Sequence, residues 1–521
     1  MEKLFQALRF RADLFPHQPA LITDNGENQA TLSNQQLLQE ISKVEKSFKE
    51  QNAKCIGLYM DNCSEWIICD LAAAKLGITL VPIPLFFTTT QIGHLAKSAQ
   101  LDVIITKKNL IMALTTNKHL NFVSDHKIEG IDKGDTEPKQ LPLNETVMLP
   151  IFKNCHLDSL SNSINKDLAF ITKITYTSGS TGEPKGVCLS KDNIAAVCEG
   201  IEDSMTQMGI SDHLCVMPLA TLLENIAGVY ICLLRGGTVI TAPLTTLGFV
   251  SNVEFDIDKL VNKIAFHKVG SIILLPQILK CLVHASNETV LKKCASLVFI
   301  ALGGGKSSQD ILQKAIDSGL PVYEGYGLSE CCSVVSLNLP QEQKIGSVGK
   351  VLPHAQVSIA EDGEIIINGQ AMLGYLNELG GLDQTNEKIH TGDLGYIDED
   401  GFIYVSGRKK NTIVSSFGRN ISPEWVEASL VSSSVISQVA VFGEARPALS
   451  AIVVTNNHNN LEVKNAIQEC NKYLPDYAQI HHWLIADTPF NTQSNTLTSN
   501  GRLKRKNIEL IYEDKLAELY T

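Results

Sequence analysis

The chain has 521 residues, 44% of them hydrophobic and 19% charged, with a net charge of −12. That length supports several domains around large cores, and the composition is that of a water-soluble globular protein. The acidic balance argues against a general nucleic-acid binder, which is usually basic. Thirteen cysteines without paired spacing read as free thiols in a reducing, cytoplasmic setting. Residues Met1 to Gln6 contain no uninterrupted apolar run, so no signal peptide is expected. The apolar runs Trp66 to Phe87 and Ile226 to Thr241 are each broken by charge, so no transmembrane segment is expected either.

The first half alternates strand and helix. Cys55 to Met60 predicts a strand, and Ser64 to Leu76 an amphipathic helix with Ser64 as N-cap. Leu80 to Ile83 is a second strand, Thr90 to Ala99 a helix, and Val103 to Thr106 a third strand. This βαβαβ grammar predicts a parallel sheet with helices on its faces. The same grammar returns at Leu297 to Ala301, which runs into Gly303-Gly304-Gly305, and at Pro321 to Glu324, which runs into Gly325-Tyr326-Gly327. Ligands bind at that edge of a parallel sheet. After about residue 345 the texture turns to β. Gln356 to Ile359 and Glu364 to Ile367 flank a hairpin signal at Asp362-Gly363. An α+β tail follows Gly407-Arg408, with strands at Gln438 to Phe442, Ala451 to Thr455 and Trp483 to Ala486. The expected domains are 1–406 and 407–521, and Asn491 to Asn500 is expected to be a mobile loop. No internal repeat occurs.

Residues 175–186 read Thr-Tyr-Thr-Ser-Gly-Ser-Thr-Gly-Glu-Pro-Lys-Gly. Glycines let backbone N–H groups face an anion. Thr177, Ser178, Ser180 and Thr181 add hydroxyls, and Lys185 adds a cation. The pattern suits a polyphosphate; the alternative is a Ser/Gly linker, which rarely follows a strand directly. It is not the P-loop of Gly-x4-Gly-Lys-Ser/Thr, because Lys185 follows Pro184. Gly305-Lys306-Ser307 also fails, since residue 300 is Ile. Gly325-Tyr326-Gly327 is no dinucleotide fingerprint, since Glu330 stands where Gly is needed. Zinc-protease, Cys-x-x-Cys and nucleophile-elbow motifs are absent from the sequence.

Four ordered motifs carry a resemblance over nearly the whole chain: the loop at 177–186, Tyr323 to Glu330 (YEGYGLSE), Thr391 to Gly395 (TGDLG), and Gly407 to Lys410 with the following Gly418 to Glu424. The chain resembles the adenylate-forming superfamily, and within it is most similar to bacterial fatty acyl-CoA synthetases. The resemblance implies a large N-terminal α/β domain with parallel-rich sheets, a small β subdomain, and a small mobile α+β C-terminal domain. It implies that Thr177, Ser178, Gly179, Ser180, Thr181, Gly182 and Lys185 hold phosphates. Gly303, Gly304, Gly305, Tyr326, Gly327 and Ser329 would surround adenine and the acyl carbonyl, with Tyr326 stacking on the base. Asp393 would take the ribose hydroxyls and Arg408 the nucleotide, with a hinge in Arg408 to Asn411. Glu330 would bind Mg²⁺.

The implied reaction joins a carboxylic acid to AMP from ATP, then transfers the acyl group to coenzyme A. A separate acyl carrier protein is the alternative thiol donor, and a nucleotide-binding pseudoenzyme is the alternative class. No Asp occurs from His213 to Phe255, where amino-acid-activating relatives place one, so an apolar acid, a fatty acid first, is expected. The family usually ends with a Gly-Lys motif whose lysine bridges carboxylate and α-phosphate. Here the motif reads Gly501-Arg502, which makes Arg502 the expected substitute for that lysine.

Overall fold

The structure is a computed structural model and describes residues 1–115, 139–150, 170–178, 184–209, 212–250, 254–369, 371–377, 381–384, 388–455, 459–498 and 501–520. Two nine-stranded sheets form the large N-terminal part. In one, Cys55–Tyr59 pairs in parallel with both Thr79–Pro82 and Val103–Lys107, as the βαβαβ pattern predicts. In the other, His213–Leu214, Ser271–Leu274, Phe299–Leu302 and Val322–Tyr326 run parallel side by side. A four-stranded antiparallel sheet follows, in the order Ala355–Ile359, Glu364–Gly369, Lys388–Ile397, Ile403–Arg408. The C-terminal part packs helices on a three-stranded sheet, Ile436–Phe442, Leu449–Thr455 and Ile480–Ile485.

The helix Ser64–Leu76 has the predicted span but not the predicted face. Trp66 to Ala73 are all buried, because this helix lies between sheets and is apolar nearly all round. Ser64 is not its cap; its hydroxyl instead meets Thr23 Oγ1 at 2.5 Å. The helix also carries Asp70 into the core. There Asp70 Oδ1 pairs with Lys173 Nζ at 2.9 Å, and Tyr230 Oη and Asn225 Nδ2 donate to Oδ2 at 2.7 and 2.8 Å. Both charged side chains are about 1% exposed.

The run before the phosphate motif is longer than expected and enters a hairpin. Ile171–Ser178 pairs antiparallel with Pro184–Ser190, with Thr177 opposite Lys185. The two ends of the motif therefore lie on paired hairpin strands. Ser190 caps the next helix, whose Asn193 donates to Ala371 O at 2.6 Å. That bond brings in the short strand Gly374–Leu376, which pairs with the hairpin through Tyr375↔Val187 and on its other side with the edge strand Leu382–Gln384. Asn491 to Thr498 is also more ordered than its composition suggests. Asn491 N and Ser494 Oγ both bond Thr496 Oγ1, each at 2.8 Å, and Thr496 and Leu497 are buried. Asn500 lies outside the described residues.

Candidate active site

One cleft of about 4210 Å³ runs between the large and small parts. Its walls include Thr177, Lys185, Gly303, Gly304, Gly305, Tyr326, Gly327, Ser329, Glu330, Asp393, Arg408 and Arg502. Residues scattered over more than three hundred positions thus share one space. Gly179, Ser180, Thr181, Gly182 and the side chain of Ser178 lie outside the described residues.

The first corner is built from neighbouring strands. Asp393 and Arg408 are register partners, so their side chains meet: Arg408 Nε lies 2.7 Å from Asp393 Oδ1. Tyr326 Oη donates to Asp393 Oδ2 at 2.7 Å, and Arg408 Nη1 donates to Thr391 O at 3.1 Å. Burial pushes the Asp393 carboxyl up, while Arg408, Tyr326 and Arg502 pull it down. An ionised carboxylate offers about four lone-pair directions, so two remain for hydroxyl donors. The Tyr326 phenol is raised, first by burial and then by Asp393, and stays a donor. Gly327 is required sterically, because a Cβ there would stand 1.5 Å from Ser333 O.

The second corner centres on Glu330, in the short turn Ser329–Cys331. Tyr375 Oη donates to Glu330 Oε1 at 2.8 Å, and Met372 N donates to Glu330 O at 2.7 Å. Lys185 Nζ lies over the Tyr375 ring, 5.5 Å from its centroid.

The third contribution comes from the C-terminal part. Thr498 N donates to Arg502 O at 2.7 Å, and Arg502 N donates to Thr498 Oγ1 at 2.9 Å. This tight turn, with Gly501 at φ +79°, carries Arg502 into the cleft. Desolvation by the cleft walls and the nearby Arg408 lower the Arg502 pKa, while Asp393 and Glu330 raise it. Arg502 therefore feels both other corners. Lys504 Nζ bonds Asn495 Oδ1 on its own loop. Arg505 turns inward to Glu427, with Nη2 2.6 Å from Oε2, and anchors the turn to the helix Pro423–Val431.

Several site residues escape sequence reasoning. Tyr375 sits in a three-residue strand with no strong pattern. Glu324 is buried beside the Gly303-Gly304-Gly305 loop; desolvation lifts its carboxyl to about 7, against the pull of the nearby Ser307 and Lys306. Lys306 Nζ donates to Val405 O and Ser406 O at 2.9 and 3.0 Å. Lys280, lowered to about 8 by burial, reaches across the cleft to Ile436 O at 2.8 Å. A cation aimed at a backbone carbonyl leaves no trace in a motif.

A cleft lined by an ordered set of glycines, hydroxyls, carboxylates and arginines defines an adenylate-forming enzyme. The AMP-binding enzyme family model matches residues 8–376, and the AMP-binding enzyme C-terminal domain matches residues 410–521; the chain belongs to the AMP-binding enzyme family. Among curated relatives, a 2-succinylbenzoate–CoA ligase of Bacillus licheniformis is 27% identical over 84% of this chain and 86% of its own. A long-chain-fatty-acid–CoA ligase of Mycobacterium bovis is 23% identical over 88% and 86%. Among solved structures, the o-succinylbenzoate CoA synthetase of Bacillus subtilis with its acyl-adenylate superposes with a TM-score of 0.73 at 22% identity, over 96% of this chain and 97% of that one. An anthranilate CoA ligase with anthranoyl-AMP gives a TM-score of 0.74 at 16% identity, over 99% and 98%. These structural likenesses establish the shared fold. Among the described residues, no helix is long and apolar enough to cross a membrane.

Proposed function

We propose that the protein is an AMP-forming ligase that activates an apolar carboxylic acid with ATP and passes the acyl group to coenzyme A. The observation that carries this reading is that Arg502, from the C-terminal part, lines the same cleft as Asp393 and Glu330. In the first half-reaction a carboxylate oxygen of the acid bonds to the α-phosphorus as the bond to pyrophosphate breaks. Tyr326 offers a face to adenine, Asp393 accepts from ribose hydroxyls, and Lys185 faces the phosphates from the hairpin. Arg502 stabilises charge that builds between two anions. In the second half-reaction the deprotonated thiol forms a C–S bond at the acyl carbonyl and AMP leaves.

Glu330 suits Mg²⁺, a hard cation, because it presents a carboxylate oxygen to the cleft while Tyr375 holds the other. When bound, the ion neutralises phosphate charge. The Bacillus subtilis synthetase was solved with ATP and a magnesium ion. A joint near residue 407 and a cytoplasmic location belong to the same proposal.

The acid would enter a corridor between the second parallel sheet and the helical run Leu223–Arg235. Ala301, Phe299 and Ile273 line it on one side, and Ala227, Gly228 and Ile231 on the other. Phe299 stands four residues before Gly303, so the corridor descends about 13 Å along the strands. These walls favour an apolar chain. A second reading, an aryl acid with a polar substituent, is favoured by a buried polar group at that depth. There His213 Nε2 meets Glu224 Oε1 at 2.6 Å, and Nδ1 meets Ser271 Oγ at 3.0 Å.

Pyrophosphate release across matched fatty and aryl acids, with and without CoA, tests the proposal. Release with an acid and a CoA thioester as product is the expected result. A product formed only on an acyl carrier protein would replace the acceptor, and nucleotide binding without adenylate from any acid would overturn the reading.

A further inference from the structure

Lys185 and Glu330 carry opposite charges on the same cleft wall, yet the two side chains form no ion pair. Tyr375 stands in the way. Its hydroxyl donates to Glu330 Oε1 at 2.8 Å, and its ring faces the Lys185 ammonium at 5.5 Å. The backbone fixes that ring. Tyr375 and Leu376 pair with Val187 and Gly186 on the hairpin strand that carries Lys185. On the other side, Met372 N donates to Glu330 O at 2.7 Å. The tyrosine is thus laced to both groups through main-chain bonds.

We propose that Tyr375 is a positioning residue that keeps Lys185 and Glu330 apart. A lysine and a carboxylate facing one cleft attract each other, and a closed pair would occupy both the phosphate-binding cation and the metal-binding anion. An aromatic ring suits the gap. Its face attracts the cation without neutralising it, and its hydroxyl holds one carboxylate oxygen while the other stays open to the cleft. Phenylalanine would keep only the first property and leucine neither. The inference rests on the proposed reading of Lys185 as a phosphate contact and Glu330 as a metal contact.

The test is equilibrium binding of α,β-methylene-ATP, which cannot release pyrophosphate, to the full chain across a Mg²⁺ titration, with pyrophosphate release alongside. Tyr375→Phe should leave metal-free nucleotide affinity within about twofold and raise the half-saturating Mg²⁺ concentration about tenfold, as loss of a hydrogen bond to a charged group predicts. Tyr375→Leu should also weaken metal-free nucleotide binding about three- to tenfold, the scale of a cation–π contact plus a competing ion pair. Adding Glu330→Gln to the Leu variant should restore the part of the metal-free affinity lost to the ion pair, since the competing anion is gone, and leave only the cation–π share lost. Thermal unfolding of each variant checks that it is folded.

If Glu330→Gln and Lys185→Ala shift metal dependence and nucleotide affinity but both Tyr375 variants behave like the native chain, the spacer role is overturned. A Leu variant whose lost affinity is in no part restored by Glu330→Gln overturns it too. If Glu330→Gln and Lys185→Ala change neither quantity, the site reading falls and takes this proposal with it.

Discussion

The ribose corner and the C-terminal turn handle charge in opposite ways. At Asp393 the two oxygens already have partners in Arg408 and Tyr326, so the corner is rigid before any nucleotide arrives. The turn at 498–505 divides its labour instead. Arg505 is bound to Glu427, Lys504 to Asn495, and Arg502 faces the cleft with longer-range pulls from Asp393 and Glu330 and no side-chain bond among the described residues. Paired charges give shape, and an underpaired charge is available to a transition state. Identity as Lys or Arg matters less here than which partner the fold has already assigned.

The largest effect should come from breaking the anchor. Arg505→Ala leaves Glu427 buried without its cation, and breaking such a pair costs about 3–5 kcal/mol. Thermal melts should show the C-terminal part destabilised while nucleotide binding to the N-terminal part persists.

Next comes Glu324, a buried carboxyl without an ion-pair partner among the described residues. Its folded pKa of about 7 lies above the ordinary 4.5. The native chain therefore keeps a proton that the unfolded chain has lost between those values, and stability falls as pH rises through that window. The penalty is fully present above pH 7 and amounts to about 3 kcal/mol. Glu324→Gln should flatten the pH dependence of denaturant midpoints and stabilise the protein at pH 8; an unchanged slope would refute the assignment.

Arg502→Ala should slow adenylation by about 10²-fold, the scale of a lost transition-state charge contact. It should spare thioester formation from pre-made acyl-AMP. Arg502→Lys should retain the rate, and Lys504→Ala should stay near native. Selective loss of adenylation in the Lys504 variant alone would reverse the two roles.

The smallest effect concerns the rigid corner. Tyr326→Ala should weaken nucleotide binding by about 1–3 kcal/mol, as for other base-stacking aromatics. Tyr326→Phe keeps the ring and should lose only about 1 kcal/mol through the missing bond to Asp393. Calorimetry with AMP distinguishes the two.

Much of this was legible in the sequence, because strand periodicity and glycine placement are local. The parallel strands, the hairpin at Asp362-Gly363 and the C-terminal strands appear within three residues of their expected positions. The missed features depend on distant segments. The face of helix Ser64–Leu76 is set by sheets on both sides, which no moment along the helix reports. Tyr375 matters because a three-residue strand lands beside a hairpin almost two hundred residues earlier. Asn491 to Asn500 looked mobile by composition, yet Asn, Ser and Thr side chains bond each other into a fixed turn. The acid itself stays least legible, because corridor walls come from two layers that the sequence separates.

The buried Lys173–Asp70 pair has a consequence for how the chain reaches its fold. Its members come from a helix, a hairpin strand and the later helical run containing Asn225 and Tyr230. No two of these segments are neighbours in sequence, so closing the set requires long loops and comes late. Until all three dock, any pair of them buries a charge that lacks part of its support. A collapsed chain with the wrong segments together is thereby penalised, and the native arrangement is the one in which the charge becomes tolerable. A network that needs three distant segments thus adds specificity to the N-terminal core, because its charge is supported only when all three are in place.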